Sequence, residues 1–216
     1  MYYEQLDKIQ KIKPKQNKTQ AKLIRGFDIF CALLAILISL PVTLFIAILI
    51  KIESWRDPVF FKQTRIGKDG KAFGMYKFRS MHVDAEAKLE ALLAQNEMQG
   101  AMFKMKDDPR ITRVGRFIRK TSLDEFPQFL NVLRGEMSFV GPRPPLAREV
   151  AAYSDYDLQR LAITPGCTGL WQVSGRNTLS FEEMVELDLK YIREQSIFLN
   201  IKIILLTFKE FAGKGM

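Results

Sequence analysis

From Ile29 to Ile50 the chain reads IFCALLAILISLPVTLFIAILI, 22 residues without a charge. As a helix rising about 1.5 Å per residue, this run would be about 33 Å long, enough to cross the hydrocarbon core of a bilayer. It is too long for a signal-peptide core, and no small-residue cleavage site follows it. Near its middle stand Ser39 and Pro41. Pro41 has no amide hydrogen to give to Leu37 and crowds the preceding turn, so a bend is expected there. Both flanks are basic: Lys18, Lys22 and Arg25 come before the run, and Lys51, Arg56, Lys62 and Arg65 after it. Cations favour the cytoplasmic face, so both ends claim the same side. A helix broken near Ser39–Pro41 that enters one leaflet and returns satisfies both ends. A straight span with a tolerated proline is the alternative.

Charge narrows the partners. The formal net charge is +9 and the pI near 9.5, which calls for an anion: nucleic acid, anionic lipid or a phosphorylated substrate. Residues 1–25 hold seven Lys or Arg against two acids and read as a basic arm that lies free or along an interface. No aromatic residues interleave its lysines to stack on bases, so nucleic acid is not the expected partner. At 216 residues the chain fits one domain with a real core. The only histidine is His82, and Cys31 and Cys167 lack metal-type spacing. A zinc site, a Ser-His-Asp triad and a Cys-His pair are therefore not expected.

Chemistry is expected in Arg119–Pro144, RKTSLDEFPQFLNVLRGEMSFVGPRP, where the adjacent acids Asp124 and Glu125 are flanked by cations. Ser122 followed by Glu125, with Phe126, Phe129, Leu130 and Leu133 behind, has the form of a capping box opening a helix. That would place Asp124 in a first turn, where free amides favour an ionised carboxylate and attract phosphate. A capping box and a dipole-favoured acid are all that this pattern alone requires. Arg110, Arg113, Arg116 and Arg119 recur every three residues upstream, and Arg143 lies in a stiff Gly-Pro-Arg-Pro-Pro turn downstream. Such a set of guanidinium forks suits polyphosphate, although part of the stripe could be a solvated face.

Around this stretch the pattern predicts a β-hairpin over Pro58–Met81 about Asp69-Gly70, with Lys77 and Arg79 near its far end. A helix is expected over Asp84–Gln99, another from Pro145 to about Leu161, and a third opened by Ser180-x-x-Glu183 and running to about Gln195. Between them TPGCTGLWQVSGRN, residues 164–177, reads as a polar-aromatic binding loop or as a structural loop plugged by Trp171. The tail SIFLNIKIILLTFKEF, residues 196–211, reads as an interfacial helix or a buried one.

Several ordered motifs together resemble the bacterial monotopic phosphoglycosyl transferases: Tyr76-Lys77-Phe78-Arg79-Ser80-Met81, Asp107-Asp108-Pro109-Arg110, Arg119-Lys120-Thr121-Ser122-Leu123-Asp124-Glu125, Gly141-Pro142-Arg143-Pro144 and the run from Pro165 to Asn177. The likeness extends from about Arg25 to the carboxyl terminus. It implies an enzyme that moves a sugar 1-phosphate from a UDP-sugar to a polyprenyl phosphate such as undecaprenyl phosphate, releasing UMP at the bacterial inner membrane. The implied nucleophile is Asp124, which also binds Mg²⁺, with Glu125 assisting proton transfer or the second step. Lys77, Arg79, Arg119 and Arg143 would serve the phosphates, and Arg176 with Asn177 the substrate. The wording of Leu170–Asn177 is closer to that of hexose transferases, for glucose or galactose, than to that of transferases for diacetamido sugars. A re-entrant helix with a Ser-Pro break is also implied, although here Leu40 separates Ser39 from Pro41. Larger relatives carry membrane helices ahead of this unit, so the resemblance is to a catalytic unit.

The resulting expectation is an α+β, mainly helical protein: a basic arm over 1–25, a re-entrant helix over 26–52, and a cytoplasmic catalytic domain over 53–216 with a small hairpin and interfacial amphipathic helices. Its partners would be the UDP-sugar, the polyprenyl phosphate and membrane lipid, with no nucleic acid. An oligomer is compatible with the sequence. Two rivals stand beside this reading: a non-enzymatic adaptor that binds anionic lipid, and a transferase using direct displacement without a covalent step.

Overall fold

A computed structural model describes residues 17–92, 105, 107–175 and 178–213. Its elements in chain order are α1 (Lys18–Glu53), β1 (Phe60–Ile66), β2 (Ala72–Phe78), α2 (Leu89–Leu92), α3 (Arg113–Lys120), α4 (Gln128–Arg134), β3 (Ser138–Val140), α5 (Ala147–Val150), β4 (Gly166–Thr168), α6 (Phe181–Glu194) and α7 (Ile197–Gly213). The chain is mainly helical with little sheet, as its patterning predicts.

α1 spans 36 residues, about 54 Å of helix, and its helical assignment runs without interruption through Pro41. It begins at Lys18 rather than near residue 26, so the described end of the basic arm is its first turns. The Ser39 hydroxyl donates to the Ile36 carbonyl at 3.3 Å, just before the position where Pro41 offers no amide. Most of the large side chains of the apolar run face outward, including Leu37, Ile38, Leu44, Phe45 and Ile48. Among the described residues α1 is the one helix long and apolar enough to cross a membrane, and little of its apolar stretch is buried within the protein.

By internal contacts the chain divides into two compact units. One contains the described residues up to Ala35, then Thr64–Gly74 and the described residues from Phe129 onward. Its core joins Val140, Ile163, Val185, Leu189, Tyr191, Ile192 and Ile203, with a smaller cluster of Ile66, Val150, Leu158 and Leu161. β3 and β4 pair in parallel, Ser138 opposite Gly166 and Val140 opposite Thr168. A Cβ on Gly166 would come within 2.0 Å of the Gly141 amide nitrogen, so this crossing tolerates only glycine. Arg25 in α1 donates to the carbonyls of Val132 and Leu133 at 2.6 and 2.7 Å. Those carbonyls are at the end of α4, where no helical amide remains to meet them. Asp28, one turn on, accepts from the Ser138 hydroxyl and the Phe139 amide, both at 3.0 Å.

The Ser180–Glu183 capping box forms as expected, with both reciprocal bonds, and opens α6. The helix expected from Pro145 to Leu161 is instead α5 followed by a short 3-10 segment, Asp157–Ala162. Of the helix expected over Asp84–Gln99, α2 covers Leu89–Leu92; residues 93–99 lie outside those described. In the 164–177 loop Trp171 is buried, as the plug reading has it, and three residues form β4. α7 turns one face inward through Asn200 and Ile203 and leaves Phe198, Leu205 and Phe208 exposed.

The other unit comprises Ile36–Gln63 and Met75–Gln128. Ile46 and Ile50 of α1, Phe78 of β2 and Ile118 of α3 are its core, and Val59, Val114, Leu123 and Phe126 pack against them. The predicted hairpin is present, with Asp69 and Gly70 at positive φ in its turn. Beyond β2 the chain is held closely: the Thr112 amide donates to the Ser80 carbonyl at 3.1 Å and the His82 amide to the Arg110 carbonyl at 3.0 Å. α3 lies so tightly on this strand that a Cβ on Gly115 would come within 2.0 Å of the Ser80 carbonyl oxygen. Gly115→Ala is therefore expected to destabilise the protein by about 3 kcal/mol or more, through backbone displacement rather than lost helix propensity. Thermal unfolding of the detergent-solubilised protein measures this, and a variant as stable as the parent would contradict the packing.

Candidate active site

The site is built from the loop that joins α3 to α4. α3 is started by Thr112, whose side chain accepts from the Gly115 amide at 2.9 Å. Glu53, the last residue of α1, adds a second cap: its carboxylate accepts from the amides of Arg113 at 2.8 Å and Val114 at 3.0 Å. The helix ends at Lys120, and Ser122 adopts a left-handed conformation, φ 56 and ψ 17. A single 3-10 turn, Leu123–Glu125, follows before α4 begins at Gln128. The expected capping box at Ser122–Glu125 does not form. With a left-handed backbone, Ser122 makes no side-chain cap, and Glu125 reaches Lys77 on β2 instead, at 2.9 Å. Pro127 contributes to the offset, since it cannot donate within a first helical turn.

Two apolar residues fix the turn. Leu123 and Phe126 bracket the acids and pack on the cluster that contains Ile46 and Ile50 of α1. This packing buries Asp124, which is 8% exposed, while Glu125 stays half-open. Burial pushes the Asp124 carboxyl up to about 6, and the neighbouring Glu125 adds to the rise; Lys77 and Arg119 pull the other way. The sequence reading has the acid held ionised by a helix start. In the structure desolvation outweighs the nearby cations, and a 3-10 turn supplies little dipole.

The remaining residues sort as follows. Lys77 and Arg119 are in the same unit as the two acids and act on Asp124 electrostatically. Arg79 is in that unit too, with its Nε donating to the Pro58 carbonyl at 2.8 Å and its guanidinium over the Phe61 ring. Arg143 is exposed in the other unit. Arg176 and Asn177 lie outside the described residues. Arg110, one of the expected anion-binding stripe, is buried and clamps Asp108 with Nε at 2.9 Å and Nη2 at 2.7 Å. That hydrogen bonding holds Asp108 below the usual carboxylate range. The Asp-Asp-Pro-Arg motif thus builds the support of α3 rather than an anion site.

Sequence reasoning missed Glu53, Arg25 and Asp28, which tie the two ends of α1 to folded segments. Their signal was present: isolated charges at the borders of an uncharged run, with Arg25 and Asp28 three apart on one helical face.

Chemically, the turn offers one buried and one half-exposed carboxylate beside a lysine and an arginine. No group of three His, Cys, Asp or Glu side chains able to hold a metal occurs among the described residues. Two adjacent carboxylates match what Mg²⁺ takes from a protein when water and phosphate oxygens complete its shell. A desolvated Asp124 without an ion-pair partner at contact distance among the described residues also suits a cation.

The chain matches the family model for bacterial sugar transferases over residues 19–214. It is 52% identical over 186 residues to the galactosyl transferase CpsE of Streptococcus agalactiae serotype III, covering 86% of this chain and 41% of that protein. It is 44% identical over 191 residues to the undecaprenyl-phosphate galactose phosphotransferase of Salmonella typhimurium, covering 87% and 40%. To the UDP-galactose-lipid carrier transferase of Erwinia amylovora it is 46% identical over 190 residues, covering 86% and 39%. The chain spans about two fifths of the length of these relatives.

Because burial sets the Asp124 value above that of the unfolded chain, the group favours folding while protonated, below about pH 4, and loses that contribution as the pH rises through about 6. Asp124→Asn cannot ionise. In chelator-treated protein it is expected to raise stability by about 1–3 kcal/mol at pH 7–8 and to leave it unchanged near pH 3. Melting temperature against pH reads this directly, and equal melting of the two proteins at pH 8 would show that the carboxylate is not desolvated.

Proposed function

The chain belongs to the bacterial sugar transferase family, and from that premise we propose that it transfers a hexose 1-phosphate from a UDP-sugar to undecaprenyl phosphate, releasing UMP, through a covalent intermediate on Asp124. The observation that carries this reading is the buried acid of the Leu123–Glu125 turn, held beside Lys77, Arg119 and Glu125. Three relatives, a galactosyl transferase, an undecaprenyl-phosphate galactose phosphotransferase and a UDP-galactose-lipid carrier transferase, support a hexose donor and a polyprenyl acceptor.

A carboxylate attacking a diphosphate meets another anion, so catalysis here is chiefly charge neutralisation and positioning. An Asp124 carboxylate oxygen attacks the sugar-bearing phosphorus, and the bond from that phosphorus to the UMP oxygen breaks. Lys77 and Arg119, with Arg79 in support, carry the phosphate charge. Undecaprenyl phosphate then attacks the same phosphorus through an anionic oxygen, and the bond to Asp124 breaks, restoring the carboxylate. Glu125, held by Lys77, assists proton movement or this second step. Asp124 with Glu125 would hold Mg²⁺, whose contribution is to offset the negative charge of the phosphate oxygens.

The acceptor's phosphate lies at headgroup depth, which requires the site to lie there. Each end of the apolar segment is tied to a folded part of the chain. Arg25 before the apolar run bonds to Val132 and Leu133, and Glu53 after it bonds to Arg113 and Val114. Cations stand on both flanks, Lys18, Lys22 and Arg25 before the run and Lys51, Arg56, Lys62 and Arg65 after it, which supports both ends lying on the cytoplasmic side. The exposed Phe198, Leu205 and Phe208 suit α7 to lie along the same interface.

The protein reconstituted in bilayers with undecaprenyl phosphate and Mg²⁺ is expected to release UMP from UDP-galactose or UDP-glucose with ping-pong kinetics. Release from no member of a UDP-sugar panel would favour the lipid-binding adaptor, and sequential kinetics would favour direct displacement. Asp124→Asn is expected to lower release by a thousandfold or more, on the order seen when nucleophiles are removed, and to abolish labelling by a donor carrying labelled sugar phosphate. Labelling that survives in this variant removes Asp124 from the role. Glu125→Gln should slow turnover while donor binding persists.

A further inference from the structure

α3 has a second face that the transfer reaction does not use. Its inward side is Gly115 and Ile118, with Val114 against the same core. At 100° per residue the opposite direction belongs to Arg113, Arg116 and Lys120, all exposed, with Phe117 beside them. Arg119 falls on the flank toward the acids and is not part of this stripe. Among the described residues the side chains of Arg113, Arg116 and Lys120 make no ion pair or hydrogen bond. Phe117 is 52% exposed, and a merely solvated basic face gives no reason for a phenyl ring there.

The location of the stripe is fixed by bonded contacts. The carboxylate of Glu53, the last residue of the apolar helix, caps the first two amides of α3. On either side of Glu53, Ile52 is 76% exposed and Trp55 80% exposed, the kind of side chains that settle at a membrane–water boundary. The start of the basic stripe therefore lies where the apolar helix ends. Cations flanking an exposed aromatic ring at that depth suit anionic headgroups above acyl chains.

We propose that the outward face of α3, formed by Arg113, Arg116, Phe117 and Lys120, binds the headgroups of anionic phospholipids, apart from the acceptor phosphate handled at Asp124. This rests on the membrane reading of α1 but not on the transfer reaction. Since α3 leads through Thr121 and Ser122 into the Leu123–Glu125 turn, lipid at this face would also steady the loop that carries the acids.

The test is amide hydrogen exchange over residues 113–120 of the full chain in nanodiscs, without sugar nucleotide. One disc is pure phosphatidylcholine, and the other has about one lipid in three replaced by phosphatidylglycerol. Exchange is expected to slow by on the order of tenfold in the anionic disc, since each cation near such a surface favours binding severalfold. The difference should shrink in about 0.5 M salt, where screening is short-ranged. Equal exchange in the two discs overturns the proposal. Arg116→Gln with Lys120→Gln should match the parent in the neutral disc and lose most of the anionic effect. A full effect in that variant also overturns the proposal. Should the variant fail to fold, the parent's comparison and its salt response still decide. Because no donor is present, failure here leaves the transferase reading intact, and absence of UMP release leaves lipid binding intact.

Discussion

The end of α1 holds the acidic turn in place. Ile46 and Ile50 form the core on which Leu123 and Phe126 rest, and Glu53 closes the start of the helix that leads into that turn. Full burial of a large apolar side chain is worth about 1.5–3 kcal/mol, so the partial burial of Leu123 and Phe126 contributes a share of that toward fixing the three-residue turn. Removing the end of α1 from this unit would take away its floor, so the apolar helix is a structural member of the site.

The same packing explains the electrostatics. Leu123 and Phe126 exclude water from the carboxyl between them, and desolvation lifts Asp124 to about 6 despite Lys77 and Arg119. An acid in that condition is close to its charging point at neutral pH and gains from any added positive charge. Glu125 is more open and already bonded to Lys77. Two neighbouring carboxyls in unlike surroundings can divide roles that two equivalent ones could not.

Local signals in the sequence were reliable where geometry was local. Asp69-Gly70 marked the hairpin, and Ser180-x-x-Glu183 marked the start of α6, because each depends on a few adjacent dihedrals. The identical spacing at Ser122-x-x-Glu125 misled for a reason visible only in three dimensions: Lys77, 48 positions upstream, competes for Glu125. The arginine period was likewise partly a coincidence of register, since Arg110 precedes α3 and is consumed by Asp108. The β3–β4 pair was not legible, as two three-residue strands joined by a long crossover carry no periodic pattern. The candidate residues Asp124, Glu125 and Lys77 could be named from the sequence; what buries Asp124 and leaves Glu125 half-open could not.

α7 shows how the surroundings of the protein are written into its packing. In water a helix hides its apolar side chains and wets its polar ones, yet here Asn200 is fully buried while Phe198 is 87% exposed. The buried side-chain oxygens of α7 find partners inside, while Asn200 Nδ2 has none among the described residues. Asn200 Oδ1 is 2.8 Å from the Tyr191 hydroxyl, which also accepts from Gln195, and Thr207 meets Thr168 at 2.8 Å. Such an arrangement suits an outer face that is not against water, because an unpaired polar group in hydrocarbon costs more than one bonded internally. The outward apolar faces of α1 and α7 share this character. Both suit a medium that cannot hydrogen-bond, and most of the polar groups they carry inward are bonded within the fold.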